Sequence, residues 1–135
     1  MSSVPVVLDT SALIAILRAE PQAVRLIDQL SAPIEKCIST ATLLETRIVL
    51  ERHLGEPGQR ALDQLLAAAA IQPLPLDLLQ AQWALQGWRT YGKGNHPAGL
   101  NLGDCFSYGL AMALKAPLLF IGDDFGRTDV IPALR

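Results

Sequence analysis

Acids recur beside apolar runs at four well-separated places in this chain: Val7-Leu8-Asp9-Thr10-Ser11, Leu43-Leu44-Glu45-Thr46, Leu102-Gly103-Asp104-Cys105 and Phe120-Ile121-Gly122-Asp123-Asp124-Phe125. These are places where strands end or helices begin, and side chains there converge on one edge of an α/β sheet. Carboxylates gathered at such an edge repel one another and raise each other's pKa unless a cation such as Mg²⁺, or Mn²⁺ in its place, sits among them. The pattern therefore points to a divalent-metal site.

Each acid also has a structural alternative. Asp9-Thr10-Ser11 before an apolar helical run is a good N-cap. Thr42-Leu43-Leu44-Glu45 matches the Ser/Thr-x-x-Glu capping box, although Glu45 shares its face with Ile48, Val49 and Arg52, and a half-buried acid there needs a metal or an arginine. Asp104 follows a glycine-rich loop at a helix start, where the helix dipole favours the ionised form and capping alone explains it. Asp123 and Asp124, with Asp129 close behind, fit a solvated turn. Capping gives no reason, however, for acids to mark three strand exits that a parallel sheet brings together.

Other chemistries fit less well. Ser11 occupies the position where phosphoaspartate phosphatases place a second Asp. Lys93 is followed by Gly94-Asn95 rather than Ser or Thr, so it is not a Walker lysine, and no Gly-x-Gly-x-x-Gly follows a strand. His53 and His96 have neither a nucleophile pattern nor zinc spacing with Cys37 or Cys105. The two cysteines read as small buried residues of a reducing cytoplasm.

The elements that must position the acids follow from periodicity and punctuation. Val4 to Leu8 reads as a strand and Ala12 to Arg18 as a helix with Leu13, Ile14 and Leu17 on one face. A second helix after Pro21 carries Val24, Ile27 and Leu30 until Pro33 stops it. Lys36 to Ser39 is a strand. Thr40 or Thr42 caps a long helix with Leu44, Ile48 and Leu50, closed by Gly55 near His53. A helix from Pro57 through Ala70 precedes a short or edge strand within Ile71 to Leu76, which contains two prolines. Asp77 opens a helix toward Trp88, Gly92 to Gly103 is a loop, and Asp104 to Leu114 is a helix packing Phe106, Leu110 and Ala113. Leu118 to Ile121 is a final buried strand. Alternating strands and helices predict one α/β domain over residues 1–135, with a mainly parallel sheet between helical layers.

The chain has 135 residues, 50% of them apolar and 18% charged. Such composition in a small domain implies apolar surface reserved for a partner. No apolar stretch approaches the roughly 20 residues that span a bilayer, and the N-terminus lacks the basic region of a signal peptide. Taking the four acids Asp9, Glu45, Asp104 and Asp124 out of a formal net charge of −2 leaves +2 for the remainder. A rim of Arg47, Arg52, Arg89, Lys93 and Arg127 is compatible with a phosphate-bearing substrate.

The four acidic segments, extended to Val7–Leu13, Ala41–Thr46, Leu102–Ala111 and Phe120–Asp129, resemble in order the motifs of PIN-domain ribonucleases. Tyr91-Gly92-Lys93-Gly94 and the C-terminal end resemble the VapC toxins of prokaryotic type II toxin-antitoxin pairs. The resemblance covers essentially the whole chain and implies a three-layer α/β/α PIN-like domain. It makes Asp9 and Asp104 the principal Mg²⁺ ligands, Glu45 a further acid acting directly or through water, and Asp124, with Asp123 as second choice, the last contributor. It implies an endoribonuclease that cleaves tRNA or other structured RNA by metal-activated water. It also implies a homodimer, with Trp83, Trp88 and the Leu-rich helices of residues 43 to 66 as sources of apolar surface, and a cognate VapB-like antitoxin that covers a hydrophobic groove and presents a basic residue to the acids. Two other classes remain open from the residues: a metal-dependent phosphatase or DNA nuclease with the same acids, and a non-catalytic protein-binding module.

Overall fold

The computed structural model describes residues 4–134, so residues 1–3 and 135 of the expected domain lie outside it. In chain order the elements are β1 (Val6–Leu8), α1 (Thr10–Leu17), α2 (Ala23–Ser31), β2 (Lys36–Ser39), α3 (Thr40–His53), α4 (Gly55–Ala68), β3 (Ile71–Leu74), α5 (Leu78–Tyr91), α6 (Leu102–Leu114) and β4 (Leu118–Leu119), followed by a 3₁₀ turn at Phe125–Arg127. All three strand pairings are parallel, in the order β3-β2-β1-β4. Pro73 falls on the edge strand β3, where its missing N–H costs no ladder bond. Along the other edge, Leu118 N donates to Ile131 O and Leu118 O accepts from Ala133 N.

Successive strand residues point to opposite faces, and here both faces are covered. Val7, Cys37 and Leu118 pack with Ala84, Tyr108, Leu110 and Ala111 of α5 and α6. Leu8, Ile38 and Leu119, the next residue in each strand, pack with Leu13, Leu26, Leu50 and Leu62 of α1 to α4. The expected three-layer α/β/α arrangement with a parallel sheet follows. No helix among the described residues is long and apolar enough to cross a membrane.

Two helices are rotated from the faces their apolar residues imply. On α2 the buried residues are Ala23, Leu26 and Leu30, while Val24 and Ile27 are 70% and 45% exposed. On α3 the buried line is Thr42, Thr46 and Leu50, and Leu44 and Ile48 face outward. Its N-cap is Ser39, whose Oγ accepts from Ala41 N, rather than Thr40 or Thr42. The Thr42–Glu45 capping box therefore does not form: both residues lie inside the helix, and Glu45 N–H is past the first-turn donors that lack an intrahelical partner. Helix α4 starts at Gly55, which turns the chain at φ +60°, rather than at Pro57. Helix α6 starts at Leu102 with Asn101 as cap, and Phe106 and Ala113 are only partly covered.

The rotation of α2 is directly testable by chemical denaturation. Leu26→Ala should cost about 2–5 kcal/mol, whereas Val24→Ala should stay within about 0.5 kcal/mol of the parent. Equal losses would contradict the observed face.

Candidate active site at the carboxyl edge of the sheet

Asp9 follows β1 directly, and its N–H donates to Leu119 O of β4, so the sheet itself fixes the start of the site. The side chain is only 3% exposed. Its Oδ2 accepts from Ser11 N at 3.0 Å and Ser11 Oγ at 2.7 Å, and its Oδ1 accepts from Ser107 Oγ at 2.5 Å. Ser11 Oγ also accepts from Ile121 N, tying the exit of β4 to the same group. Asp9 is thus the N-cap of α1 and a wall of the site at once.

Glu45 reaches the same place from α3. Thr10 Oγ1 donates to its Oε1 at 2.6 Å, and Thr10 Oγ1 lies 2.9 Å from Thr46 Oγ1. Its carboxylate lies over Gly103, where any Cβ would collide with it. Glycine at that position is what lets an acid of α3 rest against the first turn of α6. Asp104 comes next on α6 and forms a capping box with Asn101: Asp104 N donates to Asn101 Oδ1 at 2.9 Å and Asn101 N donates to Asp104 Oδ2 at 3.0 Å.

Asp9, Glu45 and Asp104 line one open cavity of about 330 Å³ with Thr10, Ser11, Ile14, Glu20 and Ile121. Burial pushes the Asp104 carboxyl up to about 6; the Asn101 N–H opposes this, and the charges of Asp9, Asp124 and Glu45 add to it. Glu45 is also raised, first by burial and then by Asp9, with the Thr10 hydrogen bond opposing. Asp124 is exposed outside the cavity wall, yet its charge reaches Asp104; Asp123 is not among the charges that do. Asp129 accepts from Tyr108 Oη at 2.9 Å instead.

The donor set is entirely oxygen, which suits Mg²⁺ or Mn²⁺ rather than a thiophilic ion. Both cysteines are buried in the core, and burial holds each thiol up at about 11. Among the described residues no three acidic, His or Cys side chains close into a cage. Mg²⁺ does not require one, because it binds through one or two carboxylates and keeps several waters. Elevated carboxyl groups around a shared cavity are the electrostatic state that such a cation relieves, so the residues present fit the ion.

Three features lay outside the sequence reading. Glu20 joins the cavity because Ala19, at φ +51°, turns the chain sharply after α1. Thr42 and Thr46 face inward, and their i, i+4 spacing was the available signal. Ser107 stands three residues after Asp104, on the same helix face. The expected basic rim is reduced by one member: Arg47 is bound to Asp63 at 2.8 Å and to Gln59 at 3.1 Å, bracing α3 against α4. Arg127 Nη1 donates to Pro97 O in the loop before α6.

Comparison with known proteins gives a consistent picture. The PIN domain family model matches residues 6–131. Ribonuclease VapC30 of Mycobacterium tuberculosis is 51% identical over 124 residues, covering 92% of this chain and 95% of that protein. Ribonuclease VapC of Mycolicibacterium smegmatis is 50% identical over 124 residues, covering 92% and 96%. Among solved structures, Mycobacterium tuberculosis VapC20, described as a sarcin-ricin loop cleaving toxin, superposes with a TM-score of 0.76 at 14% identity, over 96% of this chain and 99% of that one. The DNA-bound VapBC of Salmonella typhimurium gives 0.75 at 20% identity, over 96% of each.

The electrostatics predict a pH signature. Folded Asp104 keeps its proton up to about pH 6, whereas the unfolded chain releases it near the ordinary 3.8. Between those values the folded state binds more protons, so stability falls as pH rises; the penalty is absent below about pH 4 and complete above about pH 6. With chelator present, Asp104→Asn should therefore raise the thermal midpoint at pH 7.5, and the gain should disappear near pH 4. An Asn variant with no pH-dependent gain would contradict this burial of the Asp104 carboxyl beside the other acids.

Proposed function

Because the chain belongs to the PIN-domain family of VapC ribonucleases, we propose that it is the toxin of a cytoplasmic type II toxin-antitoxin pair, a Mg²⁺-dependent endoribonuclease in which Mn²⁺ can substitute. The observation that carries this reading is the meeting of Asp9, Glu45 and Asp104, from β1, α3 and α6, in one cavity at the carboxyl edge of the sheet. Asp9 and Asp104 are assigned as the principal ligands, with Glu45 and Asp124 completing the acidic set. The charge of Asp124 at Asp104 supports it over Asp123.

A divalent ion held by these acids would lower the pKa of a bound water and offset charge developing on the phosphate. The side chains supply the rest. A carboxylate has about four acceptor positions, and Asp9 has used three of them on Ser11 N, Ser11 Oγ and Ser107 Oγ. It is held rigidly with capacity for one more partner. Glu45 Oε1 is fixed by Thr10, and Oε2 is the atom we assign to take the proton shed by the attacking water. Burial raises this carboxyl and makes it a better base than an exposed glutamate. Lys93, Arg52, Arg89 and Arg127 supply cationic surface for the RNA backbone, with tRNA or another structured RNA as substrate.

The apolar surface supports the partners in this reading. Leu76, Leu85, Trp88, Leu102 and Phe106 line a groove of about 390 Å³ between α5 and α6, and Leu78 and Leu44 are 74% and 60% exposed. Exposed apolar area of this kind is typical of protein interfaces. We assign these surfaces to a second copy of the chain and to a cognate VapB-like antitoxin, whose basic side chain would offset the acids. Solved VapBC complexes among the structural neighbours support an antitoxin partner.

The test is cleavage of total cellular RNA by the purified protein with Mg²⁺ or Mn²⁺, then with chelator, with single-stranded DNA and a small phosphate ester run in parallel. Discrete metal-dependent RNA fragments should appear, and both Asp9→Asn and Asp104→Asn should lower the rate by about 100-fold or more, beyond the roughly 10- to 100-fold that losing a group that merely orients a ligand costs. A folded, fully active Asp104→Asn protein would rule out the site. Cleavage of DNA or the ester in place of RNA would rule out the substrate.

A further inference from the structure

Ser107 is wholly buried on α6, one turn beyond Asp104. Among its buried neighbours on that helix are Cys105, Gly109, Leu110 and Ala111, and an unpaired hydroxyl there would be costly. It is paired with Asp9 Oδ1 at 2.5 Å, across 98 positions of sequence, and its Oγ lies 3.3 Å from Thr42 Oγ1. Proton counting fixes the direction of these bonds. A hydroxyl has one hydrogen and a carboxylate only accepts, so the Ser107 hydrogen is committed to Asp9 and Thr42 must donate to Ser107. Thr42 O in turn accepts from Thr46 Oγ1 at 2.9 Å, which lies 2.9 Å from Thr10 Oγ1, the donor to Glu45. Thr42, Thr46 and Ser107 are fully buried, but by the same count the Thr46 hydrogen goes to the Thr42 carbonyl and the Thr10 hydrogen to Glu45, so the directed hydroxyl relay onto Asp9 is Thr42 to Ser107 to Asp9.

We propose that Ser107 is a positioning residue for the nuclease site: its hydroxyl, oriented by Thr42, holds the Asp9 carboxylate in the orientation that binds the divalent ion. The inference rests on the metal-dependent reading of the site and adds to it a residue that is not itself a ligand. A packing role alone would make Ser107→Ala harmless, since alanine is of similar size and is the best helix former. A positioning role makes the same change weaken ion binding in a folded protein.

The experiment titrates Mn²⁺ into the full chain and follows the free ion by electron paramagnetic resonance, for the parent, Ser107→Ala and Thr42→Val, with thermal unfolding in chelator run on each. Ser107→Ala should unfold cooperatively and bind Mn²⁺ about 10- to 100-fold more weakly, the usual cost of losing a group that orients a ligand. Thr42→Val should weaken binding in the same direction but less, because Ser107 keeps its hydrogen on Asp9 and loses only the group that fixes its rotation. Parent-like Mn²⁺ affinity in Ser107→Ala would overturn the positioning role while leaving the metal site intact. A parent protein that binds no Mn²⁺ at millimolar concentration would overturn the metal-dependent reading and this inference together.

Discussion

The burial of several carboxylates around one cavity, with their mutual repulsion added to it, is the constraint on which this structure turns. Asp9, Glu45 and Asp104 share a cavity while Asp124 acts from outside it. Each is drawn in by an element with other work to do: β1 and β4 fix the Asp9 backbone, a glycine on α6 admits Glu45, and the Asn101 capping box anchors Asp104. The fold therefore holds negative charge where low solvation makes it unfavourable. Sites that must bind a cation are built that way, because the charges destabilise the empty state and stabilise the occupied one.

Hydroxyl groups make this arrangement tolerable. Ser11, Ser107 and Thr10 donate to two of the acids, and Thr42 stands behind Ser107. Neutral donors of this kind stabilise a carboxylate without neutralising it, so the cavity keeps its negative charge. An arginine in the same place would have satisfied the acids and closed the site. Arg47, the basic residue nearest in sequence to Glu45, is instead bound to α4 through Asp63 and Gln59.

This division of labour also explains what the sequence made legible. The strand-then-acid pattern at Val7–Asp9, the edge strand with Pro73 and the Asp77 cap of α5 follow from local chemistry, and each was readable. The rotation of α3 was not, because periodicity identifies apolar residues that share a face but not which face is inward. Here the inward line is Thr42, Thr46 and Leu50, since the site needs hydroxyls, and Leu44 and Ile48 are left outside. Glu20 was illegible for a different reason: its position depends on a single left-handed residue, Ala19, a conformation to which alanine gives no clue. The ordered set of acids was legible, whereas their closeness required the crossover topology of the sheet.

The central claim is that these separated acids share one ion. The most direct measurement is the anomalous difference density of Mn²⁺ in crystals of the protein grown near neutral pH. The account predicts a peak bounded by Asp9 and Asp104, with Glu45 and Asp124 beside it. A peak bound elsewhere, or an empty cavity at a Mn²⁺ concentration that supports RNA cleavage, would contradict it.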